Sequence, residues 1–169
     1  MMVGFIGYAR AGKNEAANAL LPWPQFSFAA ALKREVWRML DINRLDADFD
    51  KSSDKEQWRD FLVFWGRKRR AMDPNYWIRG LIYGINFKKM KLGDDLTITD
   101  VRYLNEAEWI NKHRGRLIYI ERPGVTAAND EEAQSITKIL NVSLSLSVQT
   151  IANDGTIDQL HARVRSVLE

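Results

Sequence analysis

Hydrophobic and polar positions along this chain fall into short apolar runs separated by amphipathic stretches. Val3 to Ile6 is an apolar run ending at Gly7, and after a glycine-bounded loop Ala16, Ala17, Leu20 and Leu21 share one helical face. Pro22 and Pro24 stop that helix. Phe26-Ser27-Phe28 reads as a second strand, and the next helix carries Ala29, Leu32, Val36 and Met39 at spacings of three, four and three. Asp41 to Lys55 is polar and acid-rich, the pattern of a loop or mobile element. Trp58, Phe61, Leu62 and Trp65 then recur at helical spacing as a single buried stripe. Asp73-Pro74 is expected to open another helix, with the aspartate capping and the proline in the first turn, where its missing N–H costs nothing.

Further strands are predicted at Leu96 to Thr99 and Leu117 to Ile120, with a helix around Glu106 to Lys112 between them. Val142 to Ile151 alternates at first and ends in a candidate last strand, Val148 to Ile151. Thr156 and Gln159 form a capping-box pattern for a final helix that buries Ile157, Leu160, Val164 and Val167. Strand and helix in alternation predict an α/β fold around a mostly parallel sheet. Such sheets bind ligands beyond the carboxyl ends of their strands, here after Ile6, Phe28, Thr99, Ile120 and Ile151. With no repeat, low-complexity tract or linker, residues 1–169 read as a single domain.

Composition narrows the chemistry. The chain has 169 residues, 46% of them apolar, and no cysteine. A chain this long buries roughly 70% of its unfolded surface, so an ordinary core suffices without disulfides or structural metal. Thiolate mechanisms and cysteine-bound zinc are excluded, and a reducing, cytoplasmic setting is expected. The apolar runs are too short to span a bilayer, and Met1 to Gly7 does not read as a signal peptide. The net charge of +3 hides an uneven distribution. Residues 59–91 hold nine basic and two acidic side chains, +7 locally, against −4 elsewhere. Clustered charge focuses potential on an anionic ligand, although a solvated helix face is the plainer alternative.

The strongest local motif is Gly7-Tyr8-Ala9-Arg10-Ala11-Gly12-Lys13-Asn14, which fits G-x-x-x-x-G-K with Asn in place of Ser or Thr. It lies between a predicted strand and a helix, where two glycines let the backbone curl, loop amides donate to phosphate oxygens, and the helix N-terminus adds positive potential. Lys13 would bridge the terminal phosphates. Asn14 offers a neutral amide oxygen where a hydroxyl usually ligates Mg²⁺. Asp100 follows a predicted strand toward the same sheet edge and could hold Mg²⁺ or accept a proton, or else cap the segment that follows. Arg102 could fork onto a phosphate, or pair with Glu106 one turn on. The run Arg67-Lys68-Arg69-Arg70 suits arginines that close over phosphates. A nucleic-acid patch is a weaker reading, since the nearby aromatics sit at core spacing. His113 and His161 are isolated and receive no role.

In their order and spacing these motifs resemble the bacteriophage deoxynucleoside monophosphate kinase family, small P-loop enzymes. The likeness runs from Gly7 to Leu160. It takes in the phosphate loop, Phe28-Ala29-Ala30-Ala31-Leu32-Lys33, an element at Arg59, Leu62 and Gly66, and Arg70 to Trp77. It continues through Asp100 to Glu106, Arg122-Pro123 and Asn153 to Thr156.

The resemblance implies a three-layer P-loop fold with a five-stranded, mostly parallel sheet and a helical nucleotide-binding and lid region within about 41–91. It implies Mg²⁺-dependent phosphoryl transfer from ATP to a deoxynucleotide. Lys13, Arg70, Asp100 and Arg102 would be catalytic, with Asn14 and Asp100 toward the metal. ATP would meet Gly7, Ala9 to Glu15, Asn153 and Gly155; the acceptor would meet Lys33, Arg67, Asp73, Trp77, Glu106 and Arg122. Its partners would be these small molecules, without a membrane or stably bound nucleic acid, and a homodimer is expected by likeness. Three departures stand out. Asn14-Glu15 follows the loop lysine, Val63 replaces a usual Gln, and the His-x-Ser/Thr-Glu element after Arg122-Pro123 is missing. Asn129 to Ser135 occupies that region, with Glu131 or Glu132 as a partial replacement.

Overall fold

A computed structural model describes residues 1–39 and 52–169, with backbone alone at 52–56. The strands are β1 (Met2–Ile6), β2 (Gln25–Phe26), β3 (Leu96–Val101), β4 (Arg116–Glu121) and β5 (Val148–Ala152). The helices are α1 (Lys13–Asn18), α2 (Phe28–Met39), α3 (Ser52–Met72), α4 (Tyr76–Phe87), α5 (Leu104–Lys112), α6 (Asp130–Asn141) and α7 (Ile157–Ser166). All strand pairs are parallel, in the order β2-β3-β1-β4-β5. Met2 pairs with Leu96 and Val3 with Arg116, and a register shift interrupts the β1–β3 pairing between Gly4 and Ile6.

Strand β1 is buried along its whole length, as a central parallel strand covered on both faces must be. Its side chains alternate between two cores. Met2 and Ile6 pack with Trp77, Leu81, Ile110 and Ile136 under α4, α5 and α6. Val3 and Phe5 pack with Ala16, Leu20, Leu160 and Val164 under α1 and α7. These are the three layers. Because β1 lies between β3 and β4, the chain leaves it first to one side and later to the other. That reversal opens a crevice at the carboxyl ends of β1, β3 and β4.

The stripe at Trp58, Phe61, Leu62 and Trp65 packs chiefly on α2 through Val36 and Leu32, with Trp65 also against the main core. Glu35 ties these helices together. Its carboxylate accepts from Trp65 Nε1 at 2.9 Å, Arg69 Nε at 2.6 Å and Tyr76 Oη at 2.7 Å. The Arg69 guanidinium lies between the rings of Trp65 and Tyr76, 4.8 Å from each centroid. Partial burial works to raise the Glu35 pKa, but bonds from Tyr76, Arg69 and Trp65 outweigh it and leave the carboxyl below its ordinary 4.5. Its stabilisation is therefore complete above pH 4.5 and is lost as pH falls through the lower folded value. Glu35→Ala is expected to cost about 2 kcal/mol near neutrality, with the difference from the parent shrinking in acid. Urea unfolding of both proteins across that range checks this.

Several elements differ from expectation. Phe28 begins α2 instead of ending a strand, because Asp100 accepts both Phe28 N and Ala29 N at 2.8 Å and Ser27 Oγ accepts Ala30 N at 3.0 Å. Asp73 does not cap α4: it accepts Asn75 N at 2.9 Å in a tight turn, and the helix starts at Tyr76. Ser52 to Lys55 is already helical, while Asp41 to Lys51 lies outside the described residues. Residues 142–147 form turns, not the start of an alternating strand. Ile157 is exposed at the start of α7. Helix α6 had no expected counterpart, although Asn129 accepts Glu132 N at 2.9 Å as its cap.

Candidate active site

The segment after β1 turns sharply through left-handed backbone at Gly12 (φ 98°) and Arg10 (φ 68°) before α1 begins at Lys13. A side chain at Gly12 would meet both that strained φ and the Asn153 amide, which donates to Ala11 O at 2.8 Å. Asn153, beyond β5, thus holds the loop from behind.

Lys13 is folded inward, its Nζ donating to Gly7 O at 2.8 Å and Tyr8 O at 2.7 Å. Burial, helped by the nearby Arg102 charge, lowers its pKa from 10.5 to about 8, with Glu132 and Asp100 partly opposing. A nucleotide phosphate held in the loop would restore a favourable environment for the ammonium. On that reading ADP affinity is expected to be flat below pH 8. Above it affinity falls by up to about tenfold per pH unit, since binding must then recover the proton. Titrations on either side of that pH check this, and Lys13→Gln removes the dependence.

Asp100 stands at the end of β3, its two oxygens each accepting one amide of α2. It is a helix cap, but for α2 and not for the segment that follows it. Burial raises its pKa against those two bonds and the charges of Arg102 and Lys13. Glu106 is 1% exposed. Its Oε1 accepts from Arg70 Nη2 at 3.0 Å, while Oε2 takes Arg102 N at 2.9 Å and Tyr103 N at 3.1 Å. The alternative side-chain pairing of Arg102 with Glu106 is not made: Glu106 takes only the backbone amide of Arg102, while the Arg102 guanidinium lies 3.9 Å from Glu132. Burial raises the Glu106 pKa too, and the Arg70 charge is its main opponent. The Arg70 guanidinium lies 3.8 Å above the Tyr103 ring. Glu131 takes Arg67 on one side and Tyr103 Oη, at 2.8 Å, on the other.

Two cavities flank the loop. One of about 300 Å³ runs from Ala9 and Asp100 to α2 and α3, where Lys33, Arg67, Arg70 and Arg102 contribute basic groups. Trp77 and Glu106 also line it; Trp77 Nε1 donates to Gly66 O at 3.2 Å. The other, of about 310 Å³, lies between Tyr8 and Ala11 of the loop, Tyr119 and Arg122 of β4 and its exit, and Ala152. Arg122 therefore belongs to the second cavity, apart from the other residues expected around the acceptor. Asp73 lines neither; its carboxylate is engaged by Arg79 and Asn75 N. Gly155 sits beside the Gln159 capping box, away from both. Asn14 is exposed, and Glu15 faces His161 Nε2 at 2.8 Å.

No model of a known protein family matches the chain. A protein of Acanthamoeba polyphaga mimivirus named "Putative deoxynucleotide monophosphate kinase" is 25% identical over 197 aligned positions, covering 100% of this chain and 96% of that one. Among solved structures, dephospho-CoA kinase from Campylobacter jejuni superposes with a TM-score of 0.53 over 99% of this chain and 94% of its own, at 13% identity. TT1252 from Thermus thermophilus does so with a TM-score of 0.53 over 99% and 96%, at 16% identity. The likeness is to small P-loop kinases. The fold is that of a P-loop kinase, with the five-stranded parallel sheet and flanking helices expected. The named relative is viral but not a bacteriophage protein, so the attribution to phages is not supported.

Sequence reasoning passed over Glu131 and Glu132 except as a partial replacement, and it overlooked Tyr103, Tyr8 and Tyr119. The Asn129-x-x-Glu132 spacing ahead of Ile136 and Ile139 was the available signal, an N-cap followed by a helical stripe. The tyrosines carry no spacing signature; only the tertiary fold brings them to the cavities. Among the described residues, no three His, Asp or Glu side chains gather as a metal cage, and no helix is long and apolar enough to cross a membrane.

Proposed function

We propose that the protein is a Mg²⁺-dependent kinase that transfers the terminal phosphoryl group of ATP to a deoxynucleoside monophosphate, giving the diphosphate. The observation that carries this reading is the pair of cavities meeting at one phosphate loop. A single bound nucleotide needs one of them; a donor and an acceptor whose phosphates must approach each other need both. The cavity at Tyr8, Tyr119 and Arg122 suits the donor's base and sugar. The cavity with Lys33, Arg67, Arg70 and Arg102 suits the acceptor. The mimivirus relative's name supports the choice of acceptor class.

Acceptor and nucleophile are the same phosphate, so no general base is required and the work is positioning and charge stabilisation. Loop amides and Lys13 hold the donor phosphates, while Arg102, 48% exposed and only loosely placed 3.9 Å from Glu132, is the guanidinium free to meet the transferred group. Mg²⁺ commonly takes one or two protein oxygens and completes its shell with phosphates and water. The Asp100 carboxylate and the Asn14 amide match that sparse donor set, and the ion would supply neutralisation of charge between the phosphates. Residues expected near the acceptor divide accordingly: Lys33, Arg67, Trp77 and Glu106 face it, Arg122 joins the donor side, and Asp73 shapes the turn behind.

A coupled ADP-release assay with dTMP, dGMP, dAMP, dCMP and modified dCMP, with and without Mg²⁺, tests the proposal. Dephospho-CoA serves as a non-nucleoside-monophosphate acceptor. Release that depends on a deoxynucleotide supports it; release with the coenzyme alone points to a different kinase, and ADP binding without any release points to a nucleotide-binding protein.

A further inference from the structure

Glu132 is 6% exposed, and burying a carboxylate is costly unless its bonds are well used. Its Oε1 accepts from Ala9 N of the phosphate loop at 3.0 Å, and its Oε2 accepts from Ala128 N at 2.8 Å. Arg102 Nη1 is 3.9 Å from Oε1. Capping explains only one of these bonds: at the third position of α6, behind the Asn129 cap, Glu132 reaches back to Ala128 N much as a capping-box carboxylate does, whereas its bond to Ala9 N leaves the helix. The two oxygens are thus committed one to the loop and one to the segment entering α6, with the Arg102 guanidinium alongside.

We infer that Glu132 is a positioning residue for phosphoryl transfer, holding Ala9 of the donor loop against the segment entering α6 that walls the acceptor cavity. The inference rests on the kinase reading for its catalytic consequence, not for its geometry. Tied in this way, the donor loop keeps a set position against the wall of the acceptor cavity formed by Ala128, Asn129 and Glu132. Ala9 N–H, being taken by Glu132, is withheld from phosphate, which leaves that task to the amides nearer Lys13. Removing the clamp lets the loop and the cavity wall drift separately, and misplacement of about 1 Å is enough to cost as much as a hundredfold in rate.

The test compares Glu132→Gln and Glu132→Asp with the parent by thermal unfolding, by kcat and KM for ATP and a deoxynucleotide, and by ADP affinity at neutral pH. Glu132→Gln keeps the volume but loses the charge and one acceptor. It is expected to lower kcat by about tenfold to a hundredfold with smaller changes in KM. Glu132→Asp keeps the charge with a shorter reach and is expected to recover part of that loss, a split between kcat and KM that a purely structural defect would not produce. If Glu132→Gln folds with parental kcat, the inference is overturned. It is overturned equally if Glu132→Gln does not fold and Glu132→Asp has parental kcat. Should the parent bind ADP yet transfer nothing, the kinase reading fails, and weakened or unchanged ADP binding by Glu132→Gln then decides whether Glu132 holds the loop.

Discussion

Lys13→Ala is expected to lower phosphoryl-transfer turnover by about three orders of magnitude while leaving the fold intact. The ammonium is buried against two carbonyl oxygens of its own loop and has no carboxylate within ion-pair distance among the described residues. Its ordinary state is therefore uncomfortable, as the pKa lowered to about 8 records. Removing it relieves a buried charge and takes away nothing that the sheet or helices rely on. What disappears is the buried cation of the loop, where the proposed donor's phosphate charge would be met. Steady-state rates together with thermal unfolding check both halves: lost turnover with an unfolding temperature equal to or above the parent's. A fully active Lys13→Ala protein would remove the phosphate loop from the chemistry.

Glu106→Ala is expected to have the largest effect on stability, about 3–5 kcal/mol. Two losses combine. Arg70, in the last turn of α3, keeps its place over Tyr103 but loses the carboxylate that balances its charge. Arg102 N and Tyr103 N, at the start of α5, lose their acceptor. Because those amides belong to the segment carrying Arg102 into the cavity, weaker binding of the acceptor should accompany the loss, as a raised KM. Glu106→Gln keeps an oxygen for the amides and should recover a substantial part of the stability. Urea unfolding of the three proteins measures this; a cost below about 1 kcal/mol for the alanine variant would show that the pair contributes little more than a surface ion pair does.

Much of the fold was legible because apolar periodicity reports which faces are buried. β1, β3, β4 and β5, and helices α1, α5 and α7, follow from it, though Leu21 and Ile157 of the expected stripes are exposed. In α2 only part of the stripe holds, since Val36 is buried but Ala29 and Met39 are exposed and Ala31 is buried instead. What it could not report was where a helix starts when the cap comes from a distant strand: Phe28 reads as strand until Asp100, 72 residues away, is seen to accept its amide. α6 was missed because its acidic first turn masks a short stripe at Ile136 and Ile139. The site was legible in part for the same reason. A phosphate loop is a local motif, bound to the geometry of one turn, so Gly7 to Lys13 announces itself. The carboxylates that position the arginines, Glu106, Glu131 and Glu132, are made functional by neighbours far along the chain. The excess of positive charge at residues 59–91 is partly explained as well. Arg67, Arg69, Arg70 and Arg79 are each met by a carboxylate, and Arg67 and Arg70 face a cavity. Lys88 rests 5.0 Å from the Phe26 ring centroid, outside both cavities, so that part of the basic run remains a surface feature.

The central claim is that two nucleotides meet at this loop and exchange a phosphoryl group. ATP labelled in its terminal phosphate, incubated with the protein, Mg²⁺ and each deoxynucleoside monophosphate, tests it most directly. The account predicts label in a deoxynucleoside diphosphate, dependent on Lys13 and matched by the ADP formed. Label that stays in ATP with every acceptor, or that passes only to water, would contradict it.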